Sequence, residues 1–212
     1  MDEKQKAVET VMKAAPVIPV VVIDDVKAAV SLARALVAGG IPAIEVTLRT
    51  PRALDCLKAI ASEVEGAIPG AGTVLTPYQA DAVEKAGARF MVSPGAAPGL
   101  LDAAAASPVP LLPGAATASE MMTLMEQGYR HLKFFPASQA GGPSYLGALS
   151  SPLPQVRFCP TGGVSAANAP DYLALPNVLC VGGSWLAPAK RIAEEDWAGI
   201  TQIAAEAAAL NL

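Results

Sequence analysis

The chain has 212 residues, 52% of them hydrophobic and only 16% charged, with a formal net charge of −4. That balance suits one compact domain with a substantial core, excludes a disordered chain, and, with no basic run, argues against a nucleic-acid partner. Three scattered cysteines (Cys56, Cys159, Cys180), a single histidine, a charged start without an apolar signal core and no stretch of ~18 apolar residues predict a cytoplasmic protein with no membrane segment, no disulfide framework and no histidine-built metal site.

In chain order, a short helix over about Glu3–Ala14 precedes the first apolar, β-branched run, Val17–Ile23. Asp24-Asp25 then opens a helix over Val26–Val37 that Gly39-Gly40 closes. A second strand, Ile41–Thr47, leads to a helix over Pro51–Glu65, with Thr50 as its cap and Pro51 at its first position. Strand Ala67–Thr73 is followed by helix Pro77–Ala86, which Gly87 ends, and then by strands Phe90–Ser93 and Pro110–Leu112. Helix Ser119–Gln127, strand His131–Phe134, strand Val156–Cys159, helix Ser165–Leu173, strand Val178–Val181 and a last helix over about Glu194–Leu210 complete the pattern. Eight strands alternating with helical stretches across residues 1–212, without linker or low-complexity segment, predict a single-domain α/β fold, a (β/α)8 TIM barrel with a short N-terminal helix. A doubly wound sheet is the alternative, but its glycine-rich first turn is missing, since the first strand runs into Asp24-Asp25.

In such a barrel the chemistry lies at the C-terminal ends of the strands. Lys133 sits between Leu132 and the aromatics Phe134 and Phe135, where burial disfavours the charged ammonium and leaves a nucleophilic amine suited to Schiff-base formation with a carbonyl; the alternative is a lysine whose stem runs out to water. Glu45, inside an apolar alternation, needs a partner or a task; it reads as a proton carrier, or as a structural partner of Arg49, or both. The strand ends Gly70-Ala71-Gly72-Thr73, Ser93-Pro94-Gly95 and Pro113-Gly114 either admit ligand atoms close to the backbone or simply turn the chain. Thr161-Gly162-Gly163 and Gly182-Gly183-Ser184, after the last two strands, fall where barrels commonly hold a phosphate on backbone amides. His131, two positions before Lys133 and nearer the other end of the strand, reads as structural. An amine, a carboxylate, a guanidinium that forks onto a carboxylate and a phosphate cradle together describe a metal-free aldolase acting on a phosphorylated 2-oxo acid.

Five motifs in order, Ile44 to Thr50, Gly70 to Leu75, Lys133 to Ala137, Arg157 to Val164 and Gly182 to Leu186, resemble the bacterial 2-dehydro-3-deoxy-6-phosphogluconate (KDPG) aldolase and 4-hydroxy-2-oxoglutarate (KHG) aldolase family over essentially the whole chain. The resemblance implies Lys133 as the Schiff-base former and Glu45 as the acid/base working through a water. Arg49 and Thr73 would hold the carboxylate of the pyruvate half, and Pro94 and Phe135 would line its pocket. Thr161 would lie beside the sugar chain, with Gly162, Gly163, Gly182, Gly183 and Ser184 around the phosphate. It implies no cofactor or metal, a homotrimer in the cytoplasm, and cleavage of KDPG to pyruvate and glyceraldehyde 3-phosphate in the Entner–Doudoroff pathway, with KHG as a second substrate. Some relatives carry an arginine at the position of Val17, whose absence implies weaker phosphate affinity. The alternatives are an aldolase for the C4 epimer, 2-dehydro-3-deoxy-6-phosphogalactonate, against which Thr161 speaks, and a non-aldolase phosphate-binding barrel such as an isomerase or synthase.

Overall fold

A computed structural model describes residues 1–210. Strands and helices alternate from β1 (Val17–Val21) onward: α2 (Val26–Ala38), β2 (Ala43–Thr47), α3 (Ala53–Glu63), β3 (Ile68–Gly72), α4 (Pro77–Lys85), β4 (Phe90–Val92), α5 (Pro98–Ala106), β5 (Leu111–Leu112) and β6 (Gly114–Ala115). There follow α6 (Ala118–Glu126), β7 (His131–Phe134), α7 (Gly142–Leu149), β8 (Arg157–Pro160), α8 (Ala169–Leu173), β9 (Val181–Gly183), α9 (Ala189–Ala193) and α10 (Trp197–Ala208), with α1 (Asp2–Met12) in front. All strand pairs are parallel, in a six-stranded sheet ordered β5-β4-β3-β2-β1-β9 and a three-stranded sheet ordered β6-β7-β8. Isolated parallel bridges, Phe158 to Val178 and Thr161 to Gly182, tie β8 to the segment of β9.

The period-2 alternation of the strands sorts their side chains into two cores. Val17, Val21, Ile44, Val46, Ala71, Met91, Leu132, Phe134, Phe158 and Val181 pack with the helices in an outer core. Ile18, Ala43, Phe90, Val92, Leu112, Cys159 and Cys180 point the other way and join both sheets to Val8, Val11 and Met12 of α1 in an inner core. The neighbours of Lys133 on β7, Leu132 and Phe134, belong to the outer core, so Lys133 belongs to the inner face.

Several expected boundaries move, each for a local reason. The predicted fifth strand, Pro110–Leu112, is found as β5, and a further short strand, β6, follows it beyond Pro113, which has no N–H for a ladder. Helix α3 begins at Ala53 with Arg52 at its cap, because the Thr50 hydroxyl donates instead to the Ile23 carbonyl (2.7 Å). Residues 165–168 form a turn closed by the Asn168 side chain accepting from the Ser165 N–H, so α8 starts at Ala169. The predicted last helix starts later, at Trp197, because Glu195 takes φ +52° and Asp196 caps α10 through the Gly199 N–H, and the short α9 before it was not expected. Asp25 does cap α2, accepting from the Ala28 N–H, and Gly40 and Gly87 take left-handed φ of +87° and +86° after their helices.

Candidate active site

Lys133 and Glu45 meet across the inner face from β7 and β2. Lys133 is 5% exposed and Glu45 3%, and the Lys133 Nζ lies 3.4 Å from Glu45 Oε1. The lysine stem therefore does not run out to water. Glu45 leans over β3: a Cβ on Gly72 would collide with its carboxylate and Cγ. The absence of a side chain at Gly72 is what lets the acid reach the amine. Thr73, next along, is half-buried with φ +58°, a left-handed backbone unusual for a β-branched residue.

Arg49 is exposed and makes no ion pair among the described residues, so the expected structural pairing of Glu45 with Arg49 is replaced by Glu45 with Lys133. Its loop is fixed by the backbone: the Leu48 N–H donates to the Gly72 carbonyl and the Arg49 N–H to the Thr47 carbonyl (both 2.8 Å). The Thr47 hydroxyl donates to the Val21 carbonyl beneath. The guanidinium is thus an uncommitted cation on a fixed loop between the ends of β2 and β3.

The Phe135 ring centroid is 5.3 Å from the Lys133 Nζ, and the same ring lies against Gly162, where a Cβ would come within 3.2 Å of it. Phe135 and Pro94, both half-buried, share a cavity of about 230 Å³ with Leu101 and Leu124. The amine, the aromatic wall and the first glycine turn are therefore contiguous.

Gly162 and Gly163 take φ of +98° and +74°, a turn that side chains resist. Gly182 and Gly183 answer a different need: a Cβ on the first would meet Thr161 Oγ1, and on the second the Trp185 ring. Gly182 and Gly183 are buried, whereas Gly163 and Ser184 are exposed. The last strand runs over Val181–Gly183 rather than the expected Val178–Val181, so Gly182 and Gly183 are strand residues and the open groups of the cradle are Gly162, Gly163 and Ser184, with no lysine or arginine among them. Val17 does not border it. Paired with Val181 at the start of β1 and 0% exposed in the outer core, that position points a side chain at the helices; the exposed residue at the far end of β1 is Val22. His131 lies at the other end of β7 against Gln5 of α1. The sequence pattern did not single out Gly72, because its role depends on which way a neighbouring strand's side chain leans.

The family model described as KDPG and KHG aldolase matches residues 8–203. The chain belongs to the KDPG and KHG aldolase family. It is 50% identical to the KHG/KDPG aldolase of Escherichia coli K12 over 207 residues, 98% of this chain and 97% of that one. It is 52% identical to the 2-dehydro-3-deoxy-phosphogluconate aldolase of Pseudoalteromonas atlantica over 201 residues, 95% and 94% of the two chains. The crystal structure of the Legionella pneumophila KDPG aldolase, with pyruvate captured at low pH as a covalent carbinolamine intermediate, superposes with a TM-score of 0.92 at 48% identity, over 95% of this chain and 98% of that one.

Proposed function

We propose that this member of the family is a class I aldolase that reversibly cleaves KDPG to pyruvate and glyceraldehyde 3-phosphate, and also cleaves KHG to pyruvate and glyoxylate. The observation that carries the reading is the buried Lys133 amine 3.4 Å from the Glu45 carboxylate, in a chain half identical to named KDPG aldolases. The Lys133 amine attacks the C2 ketone, giving a carbinolamine that loses water to a protonated imine. Glu45, through a water, takes the proton from the C4 hydroxyl as the C3–C4 bond breaks, and the bonding pair moves into the enamine while the aldehyde leaves. Protonation at C3 and hydrolysis then release pyruvate and restore the amine. No step asks for a metal or a cofactor.

In this reading Arg49 and Thr73 hold the substrate carboxylate, and Pro94 and Phe135 enclose the pyruvyl carbons. Thr161 lies along the sugar chain, with Gly162, Gly163 and Ser184 on the phosphate and Gly182 and Gly183 of β9 leaving room beside it for Thr161 and Trp185. The phosphate cradle favours KDPG over KHG as the main duty, since KHG has no phosphate. Thr161 and the KDPG names of the relatives favour KDPG over its C4 epimer. The fold reads as one (β/α)8 barrel domain over the described residues 1–210, supported by counting β5 and β6 as one strand interrupted at Pro113 and by the bridges between β8 and β9; the last two residues of the expected 1–212 span lie outside the described residues. We read the enzyme as a cytoplasmic homotrimer serving the Entner–Doudoroff route. Among the described residues no helix is long and apolar enough to cross a membrane, and apolar Val22, Leu75, Tyr78 and Met122 stand exposed in the single chain.

The test is pyruvate release from KDPG in EDTA by wild type and Lys133→Ala. Metal-independent release that falls by about 10⁴-fold or more in the variant is expected, with a borohydride-trapped pyruvate adduct at Lys133. Release that survives loss of the lysine, or an adduct only elsewhere, overturns the mechanism.

A further inference from the structure

The open phosphate cradle has a neighbour that neither the motifs nor the mechanism above has used. Ser138, in the loop between β7 and α7, is exposed, and its hydroxyl lies where a Cβ on Gly163 would fall. The loop is pinned to the glycine turn by two backbone bonds, Ala137 N–H to the Thr161 carbonyl (2.8 Å) and Ser138 N–H to the Gly162 carbonyl (3.0 Å). The Ser138 Oγ is 3.4 Å from the hydroxyl of Tyr172, a residue of α8 that is 1% exposed. A buried tyrosine hydroxyl needs a partner, and no hydrogen bond to another group is formed by this one among the described residues. If Tyr172 donates, Ser138 accepts and turns its own proton outward, beside Gly163.

We infer that Ser138 is a further phosphate-binding residue, donating its hydroxyl proton to a phosphate oxygen held at Gly162 and Gly163, and that Tyr172 is the positioning residue that orients it. This rests on the aldolase reading for the identity of the substrate. The chemistry favours it: a phosphate ester presents several oxygens that accept hydrogen bonds, neither the Gly162-Gly163 turn nor the end of β9 supplies a cation, and a neutral hydroxyl already fixed at the edge of the turn can donate without rearrangement. It also gives Gly163 a second role, because any side chain there would push Ser138 away.

The experiment compares steady-state kinetics on KDPG and on phosphate-free KHG, with calorimetric titration of inorganic phosphate, for wild type, Ser138→Ala, Tyr172→Phe and the double variant. Ser138→Ala is expected to raise KM for KDPG and weaken inorganic phosphate by about tenfold, the effect of one lost bond to a charged acceptor, with kcat and the KM for KHG unchanged. Tyr172→Phe should reproduce a smaller, phosphate-specific loss and add nothing in the Ser138→Ala background. Unchanged phosphate affinity in Ser138→Ala overturns the proposal, as does a KM that rises equally for both substrates, which would mean general damage to the site. If wild type turns over neither substrate, the aldolase reading fails, and the phosphate titration still decides the role of Ser138.

Discussion

Glu45 reaches Lys133 only because β3 yields the space. Its carboxylate crosses Gly72, and Arg49, expected as its partner, stays exposed on its loop without an ion pair among the described residues. Substituting Gly72→Ala places a methyl in the volume now filled by the Glu45 side chain, and the carboxylate must swing away from the amine. Displacements of about 1 Å in such a pair cost on the order of 10²-fold in rate. The expected outcome is therefore a kcat on KDPG about 10²-fold lower, with the thermal midpoint within a few degrees of wild type, read by pyruvate release and a melting curve. Wild-type kcat would mean that Glu45 does its work from elsewhere. The acid and the amine were legible in the sequence because each interrupts an apolar strand. Gly72 was not: Gly-Ala-Gly-Thr reads as a place for ligand atoms or a chain turn, and only side-chain direction shows that one of those glycines makes room for Glu45. The same limit hid Tyr172, whose hydroxyl is invisible in a helix that looks like core.

Among the elements, α1 shows how a short helix is held without being part of the sheet. Gln5 Oε1 accepts from the Arg130 N–H (2.7 Å) and the His131 N–H (3.1 Å), and lies 3.3 Å from the His131 ring. Burial holds the His131 imidazole below its ordinary 6.5; Lys13 and Arg157 push the same way, and Glu9, with its carboxylate 4.0 Å from Nε2, opposes them. The folded protein therefore resists a proton that the unfolded chain takes up below about pH 6.5. This contribution to stability is complete above that pH and is lost progressively as pH falls from 6.5 toward the lower folded value, by at most about 1.4 kcal/mol per pH unit. Urea unfolding at pH 7.5 and 5.5 should show a smaller loss in His131→Gln than in wild type; equal losses would place the pH dependence on other groups. Strand and helix alternation was readable from periodicity almost throughout. What escaped it were three helices rich in alanine, glycine and proline, α5, α7 and α9, the short strand β6 beyond Pro113, and helix starts moved by Glu195 and by the Thr50 hydroxyl, which donates to the Ile23 carbonyl after β1.

Across the whole molecule the inner face is divided along its length between apolar packing and the buried Lys133–Glu45 pair. The outer core fixes helices on strands, and the inner core carries Phe90, Leu112 and the α1 residues near one end, with Glu45 and Lys133 farther along the same inner face. Met12, 0% exposed in the inner core, closes that first end. Truncation by Met12→Ala removes a thioether from a packed site and leaves a cavity, which costs about 2–5 kcal/mol. His131, at the start of β7, stands between this packing and Lys133, so the loss reaches the amine only if the strand itself moves. A midpoint that falls by several degrees or more, with kcat and KM on KDPG within about twofold of wild type, is the expected result. A parallel fall in kcat at temperatures well below the midpoint would mean instead that the inner core is one mechanical unit, with the position of Lys133 set by α1 as much as by β7.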